Sequence, residues 1–361
     1  MSFHPNNMAN TTNTGASTQA PPPKFTVALA ERLVQEAKLN VSVLPMPTPE
    51  CPNAIQVTEW YRTELSTEFK ILNIWNRAEL LGKGGHGTVF LEHGISGVRT
   101  GETRAVKVLA YDHPGITAQQ LASLRHKELL VSIFLSQPWC ERHFVKTHSW
   151  FTIDEAPNLG MQHLLGDLGA VQLTPRGPIA PDHARVVMKQ LLQALEFLHS
   201  QQLVHRDLKP QNIMVHSMPP FQDSWIIKLG DFGSLEYYSD ISDKSQIRPG
   251  GTPGFVPPDV LGYCPNDEMN TFLQACKADM FAAGAVLFIM LTRLAPFGKA
   301  GMHLDRYAHG EMPIGFPFTY LNSSICGPDC KALVQFLLAV RPAGRPMAST
   351  MLATSNWLHG A

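Results

Sequence analysis

The 361-residue chain is long enough for one large core or two smaller ones, and its 44% hydrophobic content is that of an ordinary globular protein. A formal net charge of −1 offers no general attraction to nucleic acid or to an anionic membrane, so neither is an expected partner. The six cysteines are scattered and no apolar leader precedes them, which reads as reduced thiols in a cytoplasmic or nuclear setting.

Residues 1 to about 24 are rich in Asn, Thr, Ser and Pro and cannot bury enough apolar surface to offset chain entropy, so disorder is expected there. From Phe25 to Lys38, Leu29, Leu33, Val34 and Ala37 recur at helical spacing. They predict a short amphipathic helix, either without a partner or acting as a docking or autoinhibitory element. Residues 41 to 58 read as a Pro-rich linker, and the extension is expected to end at residue 66.

From about Phe69 the pattern changes. Trp75–Leu81, Val89–Leu91 and Arg104–Leu109 read as strands, Ala118–Leu135 as a helix, and Phe144–Phe151 and Leu159–Gln162 as further strands. Beyond Asp167 the character is mostly helical. Pro181–His199 carries apolar residues at helix period, and Asp279–Arg293 is apolar nearly all round, as a buried central helix should be. Its strongly apolar core, Phe281–Leu291, is too short to span a bilayer. An α+β domain over 67–361 is expected, with a small strand-rich lobe to about residue 161 and a larger helical lobe from 162.

Four stretches carry chemistry. Gly82-Lys83-Gly84-Gly85-His86-Gly87-Thr88-Val89 lies between two predicted strands, and its glycines let backbone N–H groups approach phosphate oxygens. No helix follows it, which argues against a dinucleotide-binding turn. Lys107, in Ala105-Val106-Lys107-Val108, adds a point charge suited to phosphate. Farther on, His205-Arg206-Asp207-Leu208-Lys209-Pro210-Gln211-Asn212 precedes the apolar Ile213-Met214-Val215, and Asp231-Phe232-Gly233 follows. Phosphoryl transfer from ATP uses such a set: a carboxylate for the attacking hydroxyl, a cation for phosphate charge, and an Asn with a second Asp for magnesium.

In order and spacing these motifs resemble those of the eukaryotic protein kinases over about residues 69 to 358, and Lys209 is typical of the serine/threonine type. The resemblance implies a bilobal fold, Mg-ATP as the phosphate donor and Ser/Thr hydroxyls of proteins as acceptors. It assigns Asp207 as catalytic base and Lys209 to the γ-phosphate, Asn212 and Asp231 to magnesium, and Glu128 as the carboxylate holding Lys107. Met161 matches the gatekeeper, and Gln162, His163 and Leu164 the adenine-contacting hinge. Asp167 matches a ribose contact, and Val89, Ala105 and Met214 the adenine sandwich. His205 and Phe232 match spine residues, and Arg206 the partner of an activation-loop phosphate. Thr252 lies in the substrate-positioning segment, Asp259 and Arg345 match an ion pair, and Asp279 matches the acid anchoring the catalytic loop.

Two positions depart from the family pattern. Ser132 stands one helical turn after Glu128, where a large apolar residue is usual, and Pro257-Pro258-Asp259 replaces Ala-Pro-Glu. Tyr237, Tyr238, Ser239, Ser242 and Ser245 are candidate phosphorylation sites. The rival readings are a binding-only pseudokinase and a small-molecule kinase of related fold. The first expects loss of Lys107, Asp207, Asn212 or Asp231, all of which are present. The Ala-Pro-Glu-like segment and Thr252 speak against the second.

Overall fold

β-Branched and aromatic residues at alternating positions build one antiparallel sheet. It contains β1 (Val43–Pro45), β2 (Ala54–Arg62), β3 (Glu68–Gly84), β4 (Gly87–Ser96), β5 (Thr103–Val108), β6 (Thr147–Ile153) and β7 (Ala156–Gln162), in the order β1-β2-β3-β4-β5-β7-β6. The computed structural model describes residues 21–37, 43–45, 54–62, 68–111, 115–153, 155–172, 177–220, 224–238, 250–267, 270–322 and 326–360. The disorder expected over residues 1–24 lies outside them up to residue 20, whereas Lys24 departs from it, its Nζ donating to Ser200 O at 2.6 Å beside the buried Phe25; the phosphorylation candidates Ser239, Ser242 and Ser245 also lie outside.

The sheet departs from expectation at its start. Residues 54–62 were expected to lie partly in a linker and wholly in the extension, yet β2 pairs with β3 from Ala54↔Asn76 to Arg62↔Glu68, and β1 pairs with β2. The expected boundary at residue 66 therefore falls between two paired strands. The prolines at 45, 47, 49 and 52 dominate the composition of this stretch, but Ile55, Val57, Thr58, Trp60 and Tyr61 supply strand residues directly after them.

Period-two alternation gives β5 two faces. Ala105 and Lys107 share one, and Arg104 and Val106 the other. On the Arg104 face, Nε and Nη2 of Arg104 donate to Glu92 Oε2 at 3.0 and 2.8 Å, the guanidinium lies 4.0 Å from the Trp75 ring centroid, and Arg77 donates to Glu92 Oε1. This group, buried at Glu92, Arg104 and Trp75, fixes β3, β4 and β5 against one another.

Two helices lie against the sheet. α1 (Val27–Ala37) is the amphipathic helix expected over Phe25–Lys38, with Ala30, Leu33 and Val34 buried. It packs on α2 (Ala118–Phe134) and β6, and the Trp150 indole Nε1 donates to Val34 O at 3.0 Å. α2 starts with a capping box, Thr117 and Gln120 each bonding the other's backbone N–H.

The rest is mainly helical. β8 (Gly166–Asp167), β10 (Ile213–Ser217) and β11 (Ile226–Leu229) make one small sheet, and β9 (Leu203–Val204) with β12 (Glu236–Tyr237) another. Around them stand α3 (Leu168–Gln172), α4 (Pro181–Ser200), α5 (Thr271–Thr292), α6 (Leu304–Ala308), α7 (Pro328–Leu337), α8 (Ala348–Thr354) and α9 (Asn356–His359). α5 begins eight residues before the expected start at Asp279, because the Asn270 side chain caps Leu273 N–H and the helix grows from there. Asp279 therefore sits inside α5, not at its start. Among the described residues α5 alone is long and apolar enough to cross a bilayer, and here it is the buried centre of the helical lobe.

Candidate active site

The glycine-rich turn is the tip of the β3–β4 hairpin, closed by the pair Gly84↔Gly87. Gly87 has φ +138°, and a Cβ there would stand 2.2 Å from Val108 O, so only glycine fits. A Cβ on Gly82 or Gly84 would meet nothing within 4 Å. These two leave an open backbone cradle, the kind of surface that takes phosphate oxygens.

Below the turn, strand register aligns the expected adenine-side residues. Val89, Lys107 and Leu159 stand in one row across β4, β5 and β7, and Leu91, Ala105 and Met161 in the next. Opposite partners in a sheet share a face, so Val89, Ala105 and Met161 flank the lysine. Met214 pairs with Asp167 on the far side of the hinge. Gln162 bonds His216 at 3.3 Å and His163 bonds Thr103 at 3.2 Å, while Leu164 continues the hinge. The Asp167 carboxylate accepts from Ala170 N–H at 2.8 Å, so one of its oxygens caps α3.

Lys107 is buried and doubly paired. Its Nζ donates to Glu128 Oε1 at 2.5 Å and to Asp231 Oδ1 at 2.6 Å. Burial works against the charged lysine, but the Asp231 and Glu128 carboxylates outweigh it and hold the ammonium above its ordinary range. Asp231 is held well below the usual carboxylate range: burial opposes its charge, and Lys107 and His86 more than compensate. Glu128 is 1% exposed, and its second oxygen accepts from the Tyr111 hydroxyl. Ser132 is buried beside it without upsetting the arrangement. Its carbonyl accepts from Ser136 Oγ, which in turn accepts from Thr147 N–H, and Phe144 supplies an aromatic edge to Phe232 at 6.0 Å.

His86, at the turn's tip, reaches down to the Asp-Phe-Gly segment. Its Nδ1 is 3.5 Å from Asp231 Oδ1 and its Nε2 3.1 Å from Ser234 Oγ. A Cβ on Gly233 would lie 2.4 Å from the His86 ring, which explains a glycine there. Asp231 itself has φ +58°, an uncommon setting for a non-glycine residue.

The catalytic string closes into one bonded group. Lys209 Nζ donates to Asp207 Oδ2 at 2.7 Å and to Thr252 Oγ1 at 2.8 Å, and Thr252 Oγ1 donates to Asp207 Oδ1 at 2.6 Å. Asn212 Nδ2 donates to Asp207 O at 2.7 Å. Burial raises the Asp207 carboxyl, but the bonds from Lys209 and Thr252 win and hold it below its ordinary value. Beneath this group Asp279 accepts the backbone N–H groups of His205 and Arg206 at 2.9 and 3.0 Å, with His199 at 3.1 Å. His205 Nε2 bonds Gly230 O at 3.1 Å, and its ring stands edge-on to Phe232 at 6.1 Å.

Arg206 has a carboxylate in reach: its Nε is 3.7 Å from Glu236 Oε2, which also accepts from the Tyr238 hydroxyl. Behind the substrate segment, Arg345 Nη2 donates to Asp259 Oδ1 at 2.6 Å, both side chains being fully buried. The shorter acid thus meets arginine directly, and Gln274 donates to its other oxygen at 3.2 Å.

The structure gathers Lys107, Glu128 and Asp231 into one cluster, and Asp207, Lys209, Asn212 and Thr252 into a second. Sequence reasoning missed Tyr111, Glu236, His199 and Gln274. Tyr111 follows β5 by three residues with no pattern to flag it. Glu236, an acid five residues after Asp231 and short of the expected phosphorylation sites, was open to notice. Among the described residues no cluster of three His, Cys, Asp or Glu side chains forms a metal cage. Magnesium needs only one or two protein oxygens alongside phosphate, and the Asp231 carboxylate with the Asn212 side-chain oxygen fits that demand.

The family model described as protein kinase domain matches residues 75–358. The chain is 29% identical over 266 residues to the serine/threonine-protein kinase stk11 homolog of Dictyostelium discoideum, covering 71% of this chain and 41% of that protein. It is 27% identical to the 3-phosphoinositide-dependent protein kinase 1 of Arabidopsis thaliana, covering 70% of this chain and 48% of that one. It is 29% identical to the human phosphorylase b kinase gamma catalytic chain, liver/testis isoform, covering 70% of this chain and 59% of that one. The chain thus spans about half the length of these curated relatives.

Proposed function

The chain belongs to the serine/threonine protein kinase family, and from that premise we propose that it transfers the γ-phosphate of Mg-ATP to serine and threonine hydroxyls of protein substrates. The observation that carries this reading is the Asp207 carboxylate, which accepts from a hydroxyl, that of Thr252, at 2.6 Å while Lys209 holds its other oxygen. An acceptor hydroxyl in the place of Thr252 would be aimed by the same oxygen.

Because its pKa is depressed, Asp207 is a weak proton acceptor before the transition state. Its work is orientation of the hydroxyl first and acceptance of the proton late, as fits a loose phosphoryl transfer. Lys209 stands beside it, in reach of the transferred group's charge. Lys107, fixed by Glu128, serves the α- and β-phosphates, and the Gly82–Gly84 cradle offers backbone N–H groups to them. Asp231 and Asn212 would hold magnesium, which supplies neutralisation of phosphate charge. Thr252 and the Asp259–Arg345 pair keep the acceptor segment in register with Asp207.

The test is transfer of labelled γ-phosphate from ATP to a degenerate Ser/Thr peptide library. Label on Ser or Thr that disappears in Asp207→Asn supports the reading. Nucleotide binding without any transfer overturns it in favour of a binding-only scaffold.

A further inference from the structure

In α2 every residue from Glu128 to Phe134 is buried. A helix buried all round over two turns needs cover on both faces. β6 and β7 cover one, and α1 covers the other with Ala30, Leu33 and Val34. The residues leading into α1 reach farther. Phe25 is 5% exposed, with its ring edge-on to Phe134 of α2 at 5.0 Å and to Tyr237 of β12 at 4.7 Å. Its backbone N–H donates to Gln201 Oε1 at 2.7 Å, its carbonyl accepts from the Tyr237 hydroxyl at 3.3 Å, and Lys24 Nζ donates to Ser200 O at 2.6 Å.

One short segment thus ties together α2, β6, the end of α4 and the strand that carries Glu236. We propose that residues 24–37 are a built-in clamp and that Phe25 is a positioning residue for phosphoryl transfer. Phe25 wedges between α2 and β12, holds α2 at the depth where Glu128 meets Lys107, and keeps Glu236 against Arg206. The face of α2 turned away from the sheet is covered by α1, so the chain itself supplies the cover that holds the Lys107–Glu128 pair. The clamp rests on the phosphotransfer reading above.

The test uses the full chain. In Phe25→Ala, kcat should fall at least tenfold. The amides of residues 128–134 should exchange hydrogen at least tenfold faster, while those of α5 keep their rates. Phe25→Leu, which retains apolar contact, should recover most of both. Because the effect runs through Glu128, Phe25→Ala should cost no further activity in a Glu128→Gln background. Ala30→Gln, which forces a larger polar group into the α1–α2 contact, should repeat the pattern if Phe25→Ala is insoluble. Full kcat in either soluble variant, an undiminished loss on top of Glu128→Gln, or unchanged exchange in α2 overturns the clamp. Insolubility of both variants also overturns it, by making the segment part of the folding core. A wild-type chain without phosphotransfer refutes the functional reading alone, and the exchange measurement still decides whether the clamp holds α2.

Discussion

Replacing Arg345 by alanine is expected to destabilise the helical lobe strongly. The side chains of Arg345 and Asp259 are 0% exposed, and the arginine also donates from Nε to Ala339 O at 2.7 Å and from Nη2 to Val340 O at 2.6 Å. Truncation leaves the buried Asp259 charge without its arginine, beside the Gln274 bond, and removes a donor from each of two carbonyls. Breaking a buried pair in this way costs about 3–5 kcal/mol. At about 2–4 °C per kcal/mol for a domain of roughly this size, the melting temperature should fall by roughly 6–20 °C. Calorimetry on the wild type, Arg345→Ala, Asp259→Leu and the double variant measures it. The double variant should recover part of the loss, since it removes the stranded charge, but not the part due to the two carbonyls. A shift of Arg345→Ala within experimental error, or strictly additive single effects, would refute the buried-pair account.

Asp207→Asn should lower kcat by roughly two to four orders of magnitude with little change in melting temperature or nucleotide affinity, as measured by steady-state phosphotransfer. Because the Asp207 pKa is depressed, its contribution to the acid limb of kcat/KM should fall below the ordinary Asp value of about 3.9. Asp231→Asn should instead weaken magnesium-dependent nucleotide binding, read by calorimetric titration with and without the metal. Tyr111→Phe removes the donor to the second Glu128 oxygen and should cost about 1–3 kcal/mol of stability along with a fall in kcat; a change in neither would show that Glu128 holds its place without it. His143 is pushed down to about 4 by burial and by Arg142, whose Nε donates to its ring, so the fold holds it neutral. Protonation then favours the unfolded chain, and stability, intact above pH 6.5, should drop by about 2 kcal/mol at pH 5. His143→Gln should remove that share of the pH dependence in thermal melts.

The gathering of Asp207, Lys209 and Asn212 was legible because the three are nearly contiguous in the chain. Asp207, Lys209 and Asn212 sit within six residues, and the chain needs only one tight turn to bring them together. The Lys107–Glu128 pair was harder, since the two come from a strand and a helix 21 residues apart. Ser132 argued against the alignment, and only packing shows that Phe144 supplies the apolar contact near Phe232. Tyr111 and Gln274 were illegible because they act through three-dimensional reach and lie in no periodic pattern. β2 hides in the sequence for a different reason: four prolines between 45 and 52 dominate the local composition just before its strand-forming residues begin. The start of α5 was lost because Gln274 and Lys277 interrupt the apolar run that signalled the helix.

The widened sheet also bears on how this protein keeps from sticking to itself. A sheet of this size has two borders, and each bare border offers unpaired N–H and C=O groups to any neighbouring chain. On one side the last strand is β1, three residues long and ending in Pro45, which has no N–H to give. On the other side α1 lies along β6, with the Trp150 indole bonded to its backbone. Stripping residues before 54 would leave β2 as a nine-residue border and bare the flank of β6 at once. The shortened chain should then associate in light scattering at concentrations where the full chain stays dispersed.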